Sequence, residues 1–223
     1  MDLVQESLIK AAVGTVLLLS LGVLVGLQMD DLRQDHLSEE LRQSNLETET
    51  FSVLDDYVQR SDQNHCQLME VQIPSIGERS GELGSELERF EAQNIGSDRE
   101  YRYIRDRYYN NQLRLYMALN SYKERCDGTN QTTILYFFDS STESERQGAV
   151  LNEVVQERNV QVFSFNAEVD DSLIVDVLTQ DFNVTQYPTI IVNDEEKFEG
   201  FISEGELKFD IINNNENSTE QNF

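Results

Sequence analysis

The chain has 223 residues, with 42 Asp and Glu against 17 Lys and Arg and a formal net charge of -25. A surface this negative repels phosphate, which excludes a polybasic nucleic-acid binder. Two cysteines exclude a disulfide-rich scaffold and a four-cysteine zinc site. Only four of the basic residues are Lys (Lys10, Lys123, Lys197, Lys208). Carboxylates on a Lys-poor surface stay hydrated in concentrated salt, which screens their mutual repulsion. The other source of an acidic excess, a disordered chain, fits poorly with the patterned apolar runs that follow.

From Ala11 to Leu27 the chain carries no charge, and Leu8 and Ile9 extend the run past Lys10, which can snorkel. About 20 apolar residues cross a bilayer core as a helix. Residues 1–30 therefore read as a single transmembrane anchor, in contact with the membrane through residues 8–28. The exit Leu27-Gln28-Met29-Asp30-Asp31 lacks the small-residue cleavage site of a secretory signal, the competing reading. Lys10 on one side and Arg33 and Arg42 on the other nearly balance the positive-inside bias. The expected localisation is the cell membrane, single-pass, with the soluble part extracytoplasmic. The cysteine register described next gives that orientation its support.

Residues 31–128 have helical composition, rich in Glu, Arg, Gln and Leu. Met69, Ile73, Ile76, Ser80, Leu83, Leu87, Phe90 and Asn94 are spaced alternately by four and three, as are Tyr101, Ile104, Tyr108, Asn111, Leu115, Ala118 and Tyr122. Between them, Asn94 to Asp98 reads as a helix stop and a fresh start. The spacing predicts an antiparallel hairpin over about 66–94 and 98–126. The first arm is acidic, and the second carries Arg99, Arg102, Arg105, Arg107, Arg114, Lys123 and Arg125. Complementarity between the arms explains this, and a docking face for an acidic partner is the alternative; the heptads also allow a homo-oligomer. Cys66 and Cys126 are equidistant from residue 96, so a bend there brings them to one end, within disulfide reach. Two unrelated buried thiols are the competing reading. With His65 they offer only three soft ligands, so neither a metal nor a cofactor is expected.

After residue 128 the pattern changes. Thr132–Phe138, Val160–Phe165 and Thr189–Val192 read as strands, and Glu196 to Phe201 as a short fourth. Residues 142–158, 171–182 and 203–212 read as helices, with Val150, Leu151, Val154 and Val155 on one side of the first and Leu173, Ile174, Val177 and Leu178 as the apolar residues of the second. The order βαβ-α-ββα over 129–212 predicts an α/β domain with a mixed sheet. The polar tail, 213–223, has the composition of a disordered segment.

Tyr187-Pro188-Thr189-Ile190-Ile191-Val192 resembles the thioredoxin-fold signature in which a cis-proline opens the third strand, and Gly200 resembles the glycine that follows the last one. The resemblance covers about residues 131–212. With one span and a helical region ahead of it, the layout is similar to a group of archaeal membrane-anchored thioredoxin-like proteins, and the acidic composition to halophilic proteomes. The resemblance implies a Cys-x-x-Cys at the start of the first helix, where the helix terminus stabilises a thiolate. Here that place reads Ser141-Thr142-Glu143-Ser144. Serine cannot exchange with disulfides; it is an ordinary N-cap. A hydrolytic Ser141 lacks the Gly-x-Ser-x-Gly context, and His36 and His65 both lie in the helical region. The resemblance thus implies a redox-inactive member whose cis-proline surface (Tyr187, Pro188, Thr189) binds an extended peptide or an unidentified protein partner. The alternatives are a purely structural turn at Pro188 and an oxidoreductase that uses Cys66 and Cys126 as a remote dithiol.

Overall fold

The structure, a computed structural model, describes residues 49–50, 52–54, 56–61, 64–93, 98–126 and 131–208. The chain divides into two compact units, Met1–Gln63 and Asn64–Phe223. In the first, the described residues between 49 and 60 are helical. The second contains α1 (His65–Gln93), α2 (Asp98–Arg125), β1 (Thr132–Phe138), α3 (Thr142–Glu157), β2 (Val160–Asn166), α4 (Leu173–Asp181), β3 (Thr189–Val192) and β4 (Glu196–Glu199). A last helical stretch follows at 204–208. The expected element order and the mixed α/β class are present. Among the described residues no helix is long and apolar enough to cross a membrane. The predicted anchor and the polar tail both lie outside those residues.

α1 and α2 pack as the antiparallel pair the heptads predict. Met69, Ile76 and Leu83 are buried against Ile104, Leu115 and Ala118, while Ile73, Leu87 and Phe90 are half-buried. A side chain at Gly84 would place its Cβ 3.3 Å from the Tyr108 ring, so glycine permits the close approach. Asn111 Nδ2 donates to the Ile76 carbonyl across the interface at 3.0 Å. Cys66 and Cys126 form a disulfide with Cα atoms 5.7 Å apart, closing the end of the hairpin away from the bend. Between the arms the tyrosines bond to acids, Tyr101 Oη to Glu91 and Tyr122 Oη to Glu70, each at 3.0 Å. Arg102 and Arg105 instead pair with Asp171, at 3.3 and 2.8 Å. The basic character of α2 is thus partly spent away from α1, on the loop before α4.

The reason is a second stripe on α2. Arg105, Tyr109, Gln112, Tyr116 and Leu119, again spaced by four and three, are all buried. They lie beside the heptad stripe and face the sheet. The Tyr109 ring is 5.3 Å from Phe165, and the Tyr116 ring is 5.4 Å from Phe163. α2 is therefore central, gripped by α1 on one side and by the sheet on the other. The two regions that follow one another in sequence, 66–126 and 129–212, pack within one compact unit.

The sheet has strand order β2-β1-β3-β4. β1 pairs parallel with β2 and antiparallel with β3, and β3 pairs antiparallel with β4. β1 is covered on both faces, which is why it reads as a continuous apolar run. One face carries Ile134, Tyr136, Ile190 and Val192 beneath Leu151 and Val154 of α3, with Ile202 and Leu207. The other carries Phe163 and Phe165 beneath α2. Full burial of each such phenylalanine contributes about 1.5–3 kcal/mol. On α3, Leu151 and Val154 are buried but Val155, placed on the same side by the sequence, is exposed; on α4 burial is likewise narrower than the apolar run. Val175 and Leu178 are buried, whereas Leu173 and Val177 are 77% and 54% exposed. With nine residues, α4 has only about two and a half turns, and Val175 and Leu178 on one of its faces supply its fully buried contacts. Asn183, at φ 49°, ends it in the left-handed region, and Lys197 Nζ caps the freed Asn183 carbonyl at 2.8 Å.

Candidate functional site

The chain leaves β1 at Phe138 and enters α3 at Thr142. Two of the three residues between them, Asp139 and Ser141, form a hydrogen-bond cluster with Ser144, while Ser140 bonds to Glu168. Asp139 Oδ1 accepts the Ser141 amide at 3.1 Å, an Asx turn that aims the chain into the helix. The same oxygen accepts the Ser141 hydroxyl at 2.5 Å and the Ser144 hydroxyl at 2.6 Å. Ser141 Oγ in turn accepts the Ser144 amide at 3.2 Å, the N-cap bond of α3. Ser144 Oγ accepts the Asp139 amide at 3.2 Å. Each serine has one hydroxyl proton, and the shortest contact of each hydroxyl is to Asp139 Oδ1; Ser141 Oγ also lies 3.2 Å from Ser144 Oγ. These bonds hold the Asp139 carboxyl below the usual carboxylate range. A carboxylate so held is a poor base.

The predicted proline element lies at the same end of the sheet. The Tyr187–Pro188 peptide bond is cis. Thr189 pairs with Phe137, at the end of β1 that leads into Ser141. The Pro188 carbonyl accepts the Gly200 amide at 2.8 Å, joining this loop to the turn after β4. Gly200 has φ 85°, a conformation that explains glycine there. Pro188 and Thr189 are buried, and the Thr189 hydroxyl donates to the Gln186 carbonyl at 2.8 Å, so that side chain faces inward. Tyr187 is half-buried, and its backbone forms no hydrogen bond with another described residue. The predicted surface is thus narrower than the sequence suggests: the open peptide group belongs to Tyr187, and Thr189 offers no side chain.

Three contributors escaped the sequence reading. Asp139 organises both serines; its signal was the Asp-Ser-Ser run, which favours an Asx turn. Phe201, 37% exposed, lies directly after Gly200, with the Arg146 guanidinium 4.3 Å from its ring centroid. Gln147 is fully buried and its Oε1 accepts the Ile202 amide at 2.8 Å, fixing the segment that carries Phe201. Nothing local in the sequence marks these last two. Beside the serines, a groove of about 650 Å³ runs between α3 and β2, lined by Phe138, Val155, Val160, Val162 and Ser164 among others.

The disulfide is at the opposite end. α2 runs antiparallel to β1: Tyr109 reaches Asn166 at 3.0 Å, and Asn120 reaches the Thr133 hydroxyl at 3.4 Å. Cys126 lies beyond Asn120, past the start of β1. The length of β1 alone, about 20 Å at ~3.3 Å per residue, separates that end from Pro188. The structure brings Ser141, Ser144 and Pro188 to one end and Cys66 and Cys126 to the other. No family model matches the chain, and no curated protein sequence matches it.

Proposed function

We propose that this chain is a membrane-anchored, thioredoxin-like protein that binds a polypeptide partner without redox chemistry, outside the cytoplasm. The thioredoxin-like reading is supported by the strand order β2-β1-β3-β4 with its one parallel and two antiparallel pairings, and by the cis peptide bond ahead of β3. The observation that carries the inactive reading is the Asp139 cluster. The two positions that would hold exchanging sulfurs hold serines, and both hydroxyls are donated to one carboxylate. What remains is a shape: an open peptide group at Tyr187, an exposed aromatic at Phe201, and a cation, Arg146, over its ring. An extended chain can add main-chain hydrogen bonds at Tyr187 and pack a side chain on Phe201.

The test places a photo-crosslinking amino acid at Tyr187 in the full chain in its native membrane, with insulin reduction assayed in parallel. The expected result is a crosslinked polypeptide and no insulin reduction. Insulin reduction abolished by Cys126→Ser would replace this reading with the remote-dithiol enzyme.

A further inference from the structure

We propose that the free edge of β2 pairs antiparallel with β2 of a second copy of this chain, joining two sheets into one.

β2 is the outermost strand of the described sheet. The direction of its peptide groups follows from its two ends. The Asn159 carbonyl accepts the Thr132 amide, and the Ala167 amide donates to the Phe138 carbonyl. Odd-numbered residues therefore face β1, and Val160, Val162, Ser164 and Asn166 direct their peptide groups outward. Parts of this edge are already occupied. The Asn166 amide donates to Tyr109 Oη at 3.0 Å, the Val160 amide to the Arg158 carbonyl at 2.9 Å, and Gln161 Nε2 reaches the Val162 carbonyl at 3.4 Å. The open part is the centre, where the Val162 amide and both peptide groups of Ser164 take no other partner among the described residues.

The strand also lacks the devices that keep an edge solitary. Val160–Asn166 contains no charge and no proline, in a chain where 26% of residues are charged. Charge is found only at its ends: before β2 stand Glu157, already paired with Lys208, and Arg158, and after it stands Glu168. Arg158 precedes β2 and is exposed. Glu168 follows it, also exposed, its two carboxylate oxygens taking the Ser140 amide at 3.1 Å and hydroxyl at 2.9 Å. A strand with a cation before it and an anion after it complements its own antiparallel copy. A two-fold axis through Phe163 sets Val162 opposite the second copy's Ser164, so that outward groups meet outward groups. The same register sets Arg158 opposite the second copy's Glu168, twice. No other symmetric register matches both the open groups and these charges. The net charge of -25 on each copy opposes association, and molar salt screens that repulsion at long range while leaving the backbone ladder intact.

The experiment is sedimentation of the full chain in detergent at molar salt, over a concentration series, with circular dichroism on every variant. The expected result is a dimer. Ser164→Pro removes an outward N–H and no β1–β2 hydrogen bond, and should leave a folded monomer. Arg158→Glu or Glu168→Arg alone should weaken association by about tenfold, and the double reversal should restore it. Should Ser164→Pro fail to fold, the charge reversals decide alone. A chain that stays monomeric at about 100 µM, far above typical specific-complex constants, overturns the proposal. So does a dimer indifferent to all these variants, which would assign association to another surface. A different protein crosslinked to residue 162 of a monomer would give the edge to that partner instead.

Discussion

The Tyr109 hydroxyl accepts the outward-facing amide of Asn166 at 3.0 Å, while its ring packs 5.3 Å from Phe165. One side chain of the helical hairpin thus covers an aromatic of the sheet and terminates the free stretch of its edge strand. Burial, above all, pushes the Tyr109 phenol up to about 12. Tyr109→Phe keeps the ring and strands the amide. Urea denaturation should show a loss of about 1–2 kcal/mol, the cost of an unpaired, partly buried donor. Hydrogen exchange at Asn166 should accelerate in the same variant.

Ser141 and Asp139 make a second, separable prediction. Ser141→Ala removes the N-cap of α3 and should cost about 1 kcal/mol. For a unit of this size that is roughly 2–4 °C in Tm.

The Asp139 carboxyl titrates below its ordinary range because Ser141, then Ser144, donates to it. A carboxyl depressed in the folded state stabilises the fold above its unfolded pKa, near 3.9, and that contribution is lost as pH falls through the lower folded value. Asp139→Asn should therefore flatten the acid limb of a stability-against-pH curve below about pH 4, and leave its neutral region nearly parallel to that of the parent. An unchanged acid limb would mean the carboxylate contributes nothing there.

The cysteine pair constrains a separation of 60 residues. Reduction, or Cys66→Ser, should lower stability by about 2–4 kcal/mol through the freed unfolded chain. Denaturant midpoints with and without reductant measure this. Because the bond is remote from Pro188, crosslinking at Tyr187 should survive the substitution at temperatures where the fold persists.

A gain-of-function variant tests the proposed thioredoxin-like reading. Ser141→Cys with Ser144→Cys puts two thiols at the N-terminus of α3, beside the cis-proline loop. Helix-terminal placement favours the thiolate. The double variant should reduce insulin measurably where the parent does not, and further substitution of Asp139→Asn should raise the rate by removing the nearby negative charge. A double variant with no detectable reduction would count against the assignment.

Salt dependence is the prediction that composition alone makes. Circular dichroism should show loss of structure on desalting from molar salt, since the screening length lengthens about threefold for each tenfold dilution of the ions.

Much of this arrangement was legible because it rests on local rules. The strand run at Ile134–Phe137, the heptads through Met69 and Leu115, the N-cap at Ser141 and the proline at 188 each follow from residue type and spacing. The equal distance of Cys66 and Cys126 from residue 96 located their meeting place without any tertiary information. What stayed hidden depends on a second neighbour. The stripe Arg105, Tyr109, Gln112, Tyr116 and Leu119 has the same periodicity as the heptads beside it, and four of its five members are polar or amphipathic. A single-partner reading of α2 assigns them to solvent. Leu173 and Val177 mislead for the opposite reason: apolar side chains suggest burial, but a short helix presents only one narrow face. In the candidate site the serines were found and their acceptor was not. Asp139 precedes the helix; the Asp-Ser-Ser run signals its Asx turn, but the bond from Ser144 exists only once the first turn of α3 has formed.

The bond between Cys66 and Cys126 has one further consequence. A protease that cuts anywhere between these positions severs the backbone but releases no fragment. The portion before residue 66 stays covalently fastened to everything after 126 until a reductant arrives. Separating the two portions by a cut inside this loop therefore requires two events of different chemistry, one hydrolytic and one reductive, whereas a cut outside it requires only the first.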